Sequence, residues 1–70
     1  MNESIYKVIE IIGTSPDSWE KAAVNAVNRA SKSLDELRIA EVVEQDLKIE
    51  EGKVTAFRTK LRVSFRFKDS

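Results

Sequence analysis

Polar and apolar residues alternate over the last part of the chain. In residues 54–67, one set of alternate positions is mostly apolar: Phe57, Leu61, Val63, Phe65 and Phe67. The positions between them are polar: Arg58, Lys60, Arg62, Ser64 and Arg66. A period of two residues sustained over this length predicts a β-strand with one covered face.

Residues 38–49 predict a second strand that forms a hairpin with the last one. Alternation is clear in its second half, where one face carries Val43, Gln45, Leu47 and Ile49 and the other carries Glu44, Asp46 and Lys48. Residues 50–53 form the predicted turn, because Gly52 can adopt a positive φ angle there. The pattern therefore predicts an antiparallel hairpin.

Two registers remain open for this hairpin. One register sets the acidic residues Glu44 and Asp46 opposite Lys60 and Arg58, and opposite charges across a strand pair favour pairing. A shift of one residue breaks that match.

The first half of the chain predicts a strand followed by a helix. Residues 4–12 are rich in β-branched side chains without regular alternation, which is typical of a strand covered on both faces. Residues 19–33 carry apolar side chains every three or four positions, which predicts an amphipathic helix. That apolar stripe consists of Trp19, Ala23, Ala26, Val27, Ala30 and Leu34. Ser15 or Asp17 is the expected N-cap, and a Ser15 cap would place Pro16 in the first helical turn. We expect Trp19 to anchor the start of the helix.

Composition narrows the classes of function. The 70 residues are enough for one domain, residues 1–70, with a small core. The chain has no Cys and no His, which excludes disulfides, Cys/His zinc sites, thiol nucleophiles and imidazole bases. We therefore expect a protein that is not an enzyme. Because the formal net charge is zero, no basic field indicates nucleic acid or a membrane as a partner. The N-terminus lacks the pattern of a secretory signal, so we expect a cytoplasmic protein.

The predicted elements differ in length in a way that favours self-association. A helix of about 16 residues spans roughly 24 Å, whereas strands of 12 to 14 residues span roughly 40 to 45 Å. One helix cannot cover the apolar face of such a sheet. The sequence therefore predicts that other copies of the chain cover the remainder.

Three stretches of the sequence resemble one protein family. Residues 6–16 resemble the opening strand and turn of the dodecins, residues 40–45 their second strand, and residues 57–67 their last strand. The resemblance implies an α+β fold of β-α-β-β order, with a three-stranded antiparallel sheet partly wrapped around one helix. It also implies a hollow homododecamer that stores a small ligand. Flavin dodecins stack flavin rings between aromatic residues and are not enzymes.

The resemblance also identifies the positions that would form a flavin pocket, namely Ile39, Gln45, Arg58 and Arg66. Flavin dodecins usually have Trp at the position of Ile39 and Gln at the position of Arg58, and some have a basic residue at the position of Asp46. An aliphatic Ile39 lacks the flat π surface that a flavin ring stacks on. Flavin binding is therefore doubtful, although the Arg is retained as Arg66.

A second subgroup, the calcium-binding dodecins, is more similar to this sequence. Its members share the Ser-Pro-x-Ser-Trp-Glu string found at residues 15–20 and the Glu-Gln-Asp string found at residues 44–46. This similarity implies Ca²⁺ as the ligand, and Glu44 and Asp46 are candidate metal ligands. The alternative is that both carboxylates pair with Lys60 and Arg58 across the hairpin. The basic side chains of the last strand also leave a nucleic-acid-binding module as an alternative function, against which the neighbouring carboxylates argue.

Overall fold

The computed structural model describes residues 5–66 and contains one helix and three strands. The order is β1 (Tyr6–Ser15), α1 (Trp19–Ala30), β2 (Leu37–Glu50) and β3 (Lys53–Arg66). Strand β3 lies in the centre of the sheet and pairs antiparallel with both β1 and β2. The predicted three-stranded antiparallel sheet with one helix is confirmed. The predicted strand ends at Ser4 and Phe67 lie outside the described residues.

The hairpin between β2 and β3 adopts the charge-matched register. Glu44 lies opposite Lys60 and Asp46 opposite Arg58. The turn between them has positive φ angles at Glu51 (51°) and Gly52 (77°). Two successive residues with positive φ are typical of the type I′ turn, whose twist matches that of the flanking strands.

An irregularity in β2 explains why its sequence alternates only in part. The pairing shifts between Val42 and Glu44, so Val43 is an extra residue in a β-bulge. Before the bulge, the even-numbered Val42 lies beside the core residue Leu61. After the bulge, the even-numbered Glu44 lies on the opposite face, beside Lys60. The extra residue thus reverses which positions point toward the helix.

The core lies between the helix and the two strands β1 and β3. Leu61 and Val63 of β3 are each only 1% exposed, and they pack with the buried Ala26 of the helix. Ala22 is also buried, although the predicted apolar stripe omitted it. Gly13 of β1 permits this close packing, since a Cβ atom there would overlap the backbone carbonyl oxygen of Ala22.

The helix begins at Trp19 as predicted, but the expected N-caps Ser15 and Asp17 are wrong. Ser18 is the N-cap, and its hydroxyl accepts a hydrogen bond from the backbone N–H of Lys21 at 3.0 Å. Ser15 is instead the buried last residue of β1, and its hydroxyl accepts a hydrogen bond from the backbone N–H of Asp17 at 3.0 Å. The helix also ends at Ala30, three residues before the predicted end, and a turn follows it.

Trp19 anchors the start of the helix on the hairpin. Its ring packs edge-on against Phe57 with 5.2 Å between the ring centroids. Its indole N–H donates to the backbone oxygen of Asp46 at 3.1 Å, and the buried hydroxyl of Thr59 donates to the Trp19 carbonyl at 3.0 Å. These contacts agree with the structural role expected for Trp19.

The helix leaves β2 largely uncovered. Every residue of β2 except Leu37 is exposed. The molecule is correspondingly elongated, with extents of 55 × 20 × 15 Å. The expected mismatch between a short helix and long strands is therefore present. Within residues 5–66, no helix is long and apolar enough to cross a membrane.

Candidate functional site

The sheet face that points away from the helix carries most of the candidate residues, and we call it the outer face. Because Leu61 and Val63 point toward the helix, the even-numbered positions of β3 lie on the outer face. The strand pairings arrange the outer face in rows across β1, β3 and β2: Val8, Ser64 and Ile39; Glu10, Arg62 and Glu41; Ile12, Lys60 and Glu44; Thr14, Arg58 and Asp46.

Carboxylates flank the basic residues in the middle of this face. Glu10 lies 3.2 Å from the Arg62 guanidinium and 3.6 Å from Lys60 Nζ. Glu41 lies 3.7 Å from Arg62 on its other side, and Glu44 lies 4.0 Å from Lys60. Such exposed pairs contribute little stability individually, but they neutralise most of the charge of the outer face.

Asp46 and Arg58 form the best-aligned pair. Arg58 Nε and Nη2 donate to the two carboxylate oxygens of Asp46 at 2.7 and 2.8 Å. These hydrogen bonds hold the pKa of Asp46 below its ordinary value and, together with the negative charge of Asp46, raise the pKa of Arg58. A two-point pair of this kind fixes the orientation of the guanidinium. The expected alternative, in which these residues pair across the hairpin, is therefore observed for Asp46.

Ile39 lies at the other end of the outer face, beside an open depression of about 380 Å³. The depression is lined by Ile39, Tyr6, Arg38 and Ser64. Ile39 is 66% exposed, and Arg38 donates to a carboxylate oxygen of Glu36 at 3.0 Å. The depression thus combines an aliphatic side chain with one phenol ring and a hydroxyl.

A single chain does not bring the four expected flavin-pocket positions together. Arg66 lies opposite Tyr6, at the same end of the sheet as Ile39. Arg58 lies six residues from Ser64 along β3, which is about 20 Å in a strand. Gln45 pairs with Thr59 and so lies on the face toward the helix.

The described part of one chain also does not form a metal centre. No group of three or more acidic residues in residues 5–66 is placed to hold a metal ion. Asp46 is engaged by Arg58, whereas Glu44 has 66% of its side chain exposed and only the long contact to Lys60 as an ion pair. Of the two candidate metal ligands, Glu44 is therefore the more available.

Glu10 and Glu41 belong to the charged face although the sequence did not indicate them as site residues. Glu10 lies in a strand without regular alternation. Glu41 is odd-numbered and Glu44 is even-numbered, so simple alternation would place them on opposite faces of the sheet. The bulge at Val43 puts both Glu41 and Glu44 on the outer face. The sequence indicates the bulge only indirectly, because regular alternation is absent before Val43. No pattern in the sequence identifies the residue at which the bulge occurs.

Comparison with known proteins identifies the family. The Dodecin family model matches residues 5–68. The chain belongs to the dodecin family. This dodecin is 56% identical over 66 residues to the calcium dodecin of Mycobacterium tuberculosis, a match that covers 93% of this chain and 92% of that one.

Solved dodecin structures share its fold. The crystal structure of the calcium-chelating calcium dodecin of Mycobacterium tuberculosis, described as having a novel calcium-binding site, has a TM-score of 0.85 and 54% identity, and 96% of each chain is covered. The dodecin of Streptomyces coelicolor has a TM-score of 0.93 and 40% identity, and the whole of both chains is covered. The fold expected from the resemblance is thus confirmed.

Proposed function

We propose that this dodecin assembles into a homododecamer that sequesters a small ligand, that the ligand is Ca²⁺, and that the assembly does not store flavin and is not an enzyme. One observation carries the proposal: the outer face is rich in carboxylates and has the aliphatic Ile39 at the position where a flavin would need an aromatic ring. The calcium-chelating relative, at 56% identity, supports the same choice of ligand.

Ile39 argues against flavin storage. A flavin ring is flat and aromatic, and it gains most from stacking on another flat π surface. The side chain at position 39 is branched and aliphatic, and the neighbouring ring of Tyr6 lies in a different strand. The bidentate contact with Asp46 also withholds the Arg58 guanidinium from a ligand.

The carboxylates of the outer face argue for a cation. Its four rows hold four carboxylates, which are oxygen ligands of the kind that Ca²⁺ prefers, although Arg66 and Lys48 lie on the same face and add two positive charges. Ca²⁺ prefers six to eight oxygen ligands, which the described residues of one chain do not supply. We therefore place the ion where outer-face carboxylates of two or more copies meet, with Glu44 as the first candidate because its carboxylate is more exposed than that of Asp46.

Calcium titration tests this proposal. We expect purified, chelator-treated protein to bind Ca²⁺ by isothermal titration calorimetry and Glu44→Gln to bind it more weakly. Glu51→Gln is the matched control, because Glu51 is exposed in the hairpin turn and lies outside the rows of the outer face. Undiminished binding by Glu44→Gln would exclude Glu44 as a ligand, and absence of binding by the wild type would refute the calcium proposal.

Riboflavin fluorescence tests the alternative of flavin storage. We expect the wild type to leave the fluorescence of micromolar riboflavin unchanged. If the missing ring is the cause, Ile39→Trp should quench it and Ile49→Trp, at a similarly exposed position of β2, should not. Strong quenching by the wild type would instead establish flavin storage.

The ion pairs of β3 argue against nucleic-acid binding. Arg58, Lys60 and Arg62 each lie within 4.0 Å of a carboxylate of the same chain. Phosphate binding requires basic groups that can exchange counterions for phosphates, and these groups already have protein counterions. Retention of labelled RNA or DNA at low salt would contradict this reasoning.

A further inference from the structure

Residues 44–48 of β2 lie between two irregularities in the sheet. The pairing of β2 with β3 shifts between Val42 and Glu44 and again between Lys48 and Ile49. The strand order β1-β3-β2 leaves β3 as the one neighbouring strand of this segment within the described part of the chain. An edge position and interrupted pairing both leave a strand less firmly held than a central one. The segment nevertheless carries both candidate metal ligands.

Trp19 contacts this segment and its partner strand from the helix side of the sheet. Its indole N–H donates to the main-chain oxygen of Asp46 at 3.1 Å. Its ring meets the ring of Phe57, which pairs with Leu47, at an angle of 81°. The hydroxyl of Thr59 donates to the Trp19 carbonyl at 3.0 Å. The start of the helix is thus fixed to β3 by two side chains and bound to β2 through the main chain of Asp46.

Asp46 is held from both faces of the sheet. The Arg58 guanidinium binds its carboxylate on the outer face, whereas the Trp19 indole binds its main-chain oxygen from the helix side. Residues two positions apart in a strand point to the same face, so fixing the backbone at Asp46 also orients Glu44. The Glu44 carboxylate has no ion pair shorter than its 4.0 Å contact with Lys60 among the described residues. Its position therefore depends on the backbone that carries it.

We propose that Trp19 is a positioning residue for the carboxylates of Glu44 and Asp46, and that it acts through the main chain of β2. The inference rests on the proposed binding of Ca²⁺ and adds a residue that supplies no ligand atom. Carboxylates that converge on one ion from several copies of the chain bind it best when each backbone is already ordered, because ordering on binding costs affinity.

Hydrogen exchange without any ligand tests whether Trp19 holds this segment. Trp19→Phe removes the indole N–H and keeps an aromatic ring beside Phe57. Ser18→Ala is the matched control, because the hydrogen bond that it removes joins Ser18 to Lys21 within the start of the helix.

We expect the main-chain amides of residues 44–48 to exchange about threefold faster or more in Trp19→Phe, and at the wild-type rate in Ser18→Ala, as measured by mass spectrometry of peptic peptides. Residues 6–11 of β1, at the other edge of the sheet, are the internal reference and should exchange alike in all three proteins. Exchange of residues 44–48 that is as slow in Trp19→Phe as in the wild type overturns the inference.

Calorimetric titration with Ca²⁺ links this positioning to the ligand. We expect Trp19→Phe to bind Ca²⁺ about threefold to tenfold more weakly than the wild type, which is the effect of one ordinary hydrogen bond, and Ser18→Ala to bind it like the wild type. Unchanged affinity in Trp19→Phe, or equal weakening in both variants, overturns the role of Trp19 alone. A wild type that binds no Ca²⁺ overturns the proposed function as well.

Discussion

Substitution of Gly13 by Ala tests how closely the helix packs on β1. The added Cβ would overlap the carbonyl oxygen of Ala22 and lie 2.9 Å from the Cβ of Ala26. Because the first of these atoms belongs to the helix backbone, the helix must move away from the strand. Overpacking of this kind costs about 3 kcal/mol, and Ala regains about 1 kcal/mol by restricting the unfolded chain. We therefore expect Gly13→Ala to lose about 2 kcal/mol of unfolding free energy.

Urea unfolding followed by Trp19 fluorescence measures this loss. With a slope of about 1 kcal/mol per molar urea for a chain this small, the midpoint should fall by about 2 M. Protein concentration must be the same for all variants, since assembly contributes to the measured stability.

Gly52→Ala is the matched control for Gly13→Ala. Gly52 has a φ of +77°, and a Cβ atom added there would meet no other atom within 4 Å. Ala at position 52 should therefore cost at most about 1 kcal/mol, because backbone strain of about 1 to 2 kcal/mol is offset by the same restriction of the unfolded chain. The reasoning about close packing is refuted if Gly13→Ala is as stable as the wild type or more stable than Gly52→Ala.

Three further substitutions test individual contacts. Ser18→Ala removes the N-cap acceptor and should lower the unfolding free energy by about 1 kcal/mol in urea. Thr59→Val removes the hydrogen bond to the Trp19 carbonyl with little change of shape and should cost about 1 kcal/mol in the same assay. Asp46→Asn removes a carboxylate whose pKa is lowered by Arg58, so its stabilising effect is present above the unfolded-state pKa of about 3.9 and is lost as pH falls through the lower folded-state pKa. The midpoint of Asp46→Asn should therefore be below that of the wild type at pH 7 and should converge with it in acid.

For each of these substitutions, one result would contradict the reasoning. Ser33→Ala lies after the helix and should be neutral, so an equal loss in Ser33→Ala would show that Ser18 has no special role as a cap. If Thr59→Val leaves the stability unchanged, the hydrogen bond of the Thr59 hydroxyl makes no net contribution to the free energy of unfolding. A midpoint difference for Asp46→Asn that stays constant with pH would mean that the Asp46 charge does not act through its ionisation.

The hairpin was predictable because its physical causes are local in the sequence. In β3, the central strand, alternate positions contact the helix, so the period of two residues extends over nearly its whole length. The charges at Glu44 and Lys60 favoured the observed register, but they left a second register open. The N-cap of the helix was not predictable in the same way, because Ser15, Asp17 and Ser18 are all good caps and only the end of β1 decides among them.

The candidate site was predictable only in part, because its members depend on pairing between distant strands. Asp46 and Arg58 were expected as partners, and the structure joins them. Glu10 was not expected, since its contact with Arg62 connects residues 52 positions apart. The relation of Gln45 to the other flavin-pocket positions could not be deduced, because the bulge at Val43 alters the face on which each β2 residue lies.

The bulge at Val43 makes the length of β2 as important as its composition. Deleting Val43 itself would leave Val42 beside Leu61 and Glu44 beside Lys60 in a regular ladder, with Glu41 and Glu44 still on the outer face. Deleting a residue later in β2 would instead turn one part of the strand over and exchange its polar and apolar faces. A relative with a one-residue gap at the bulge would thus keep the charged face, and one with a gap elsewhere in this strand would not.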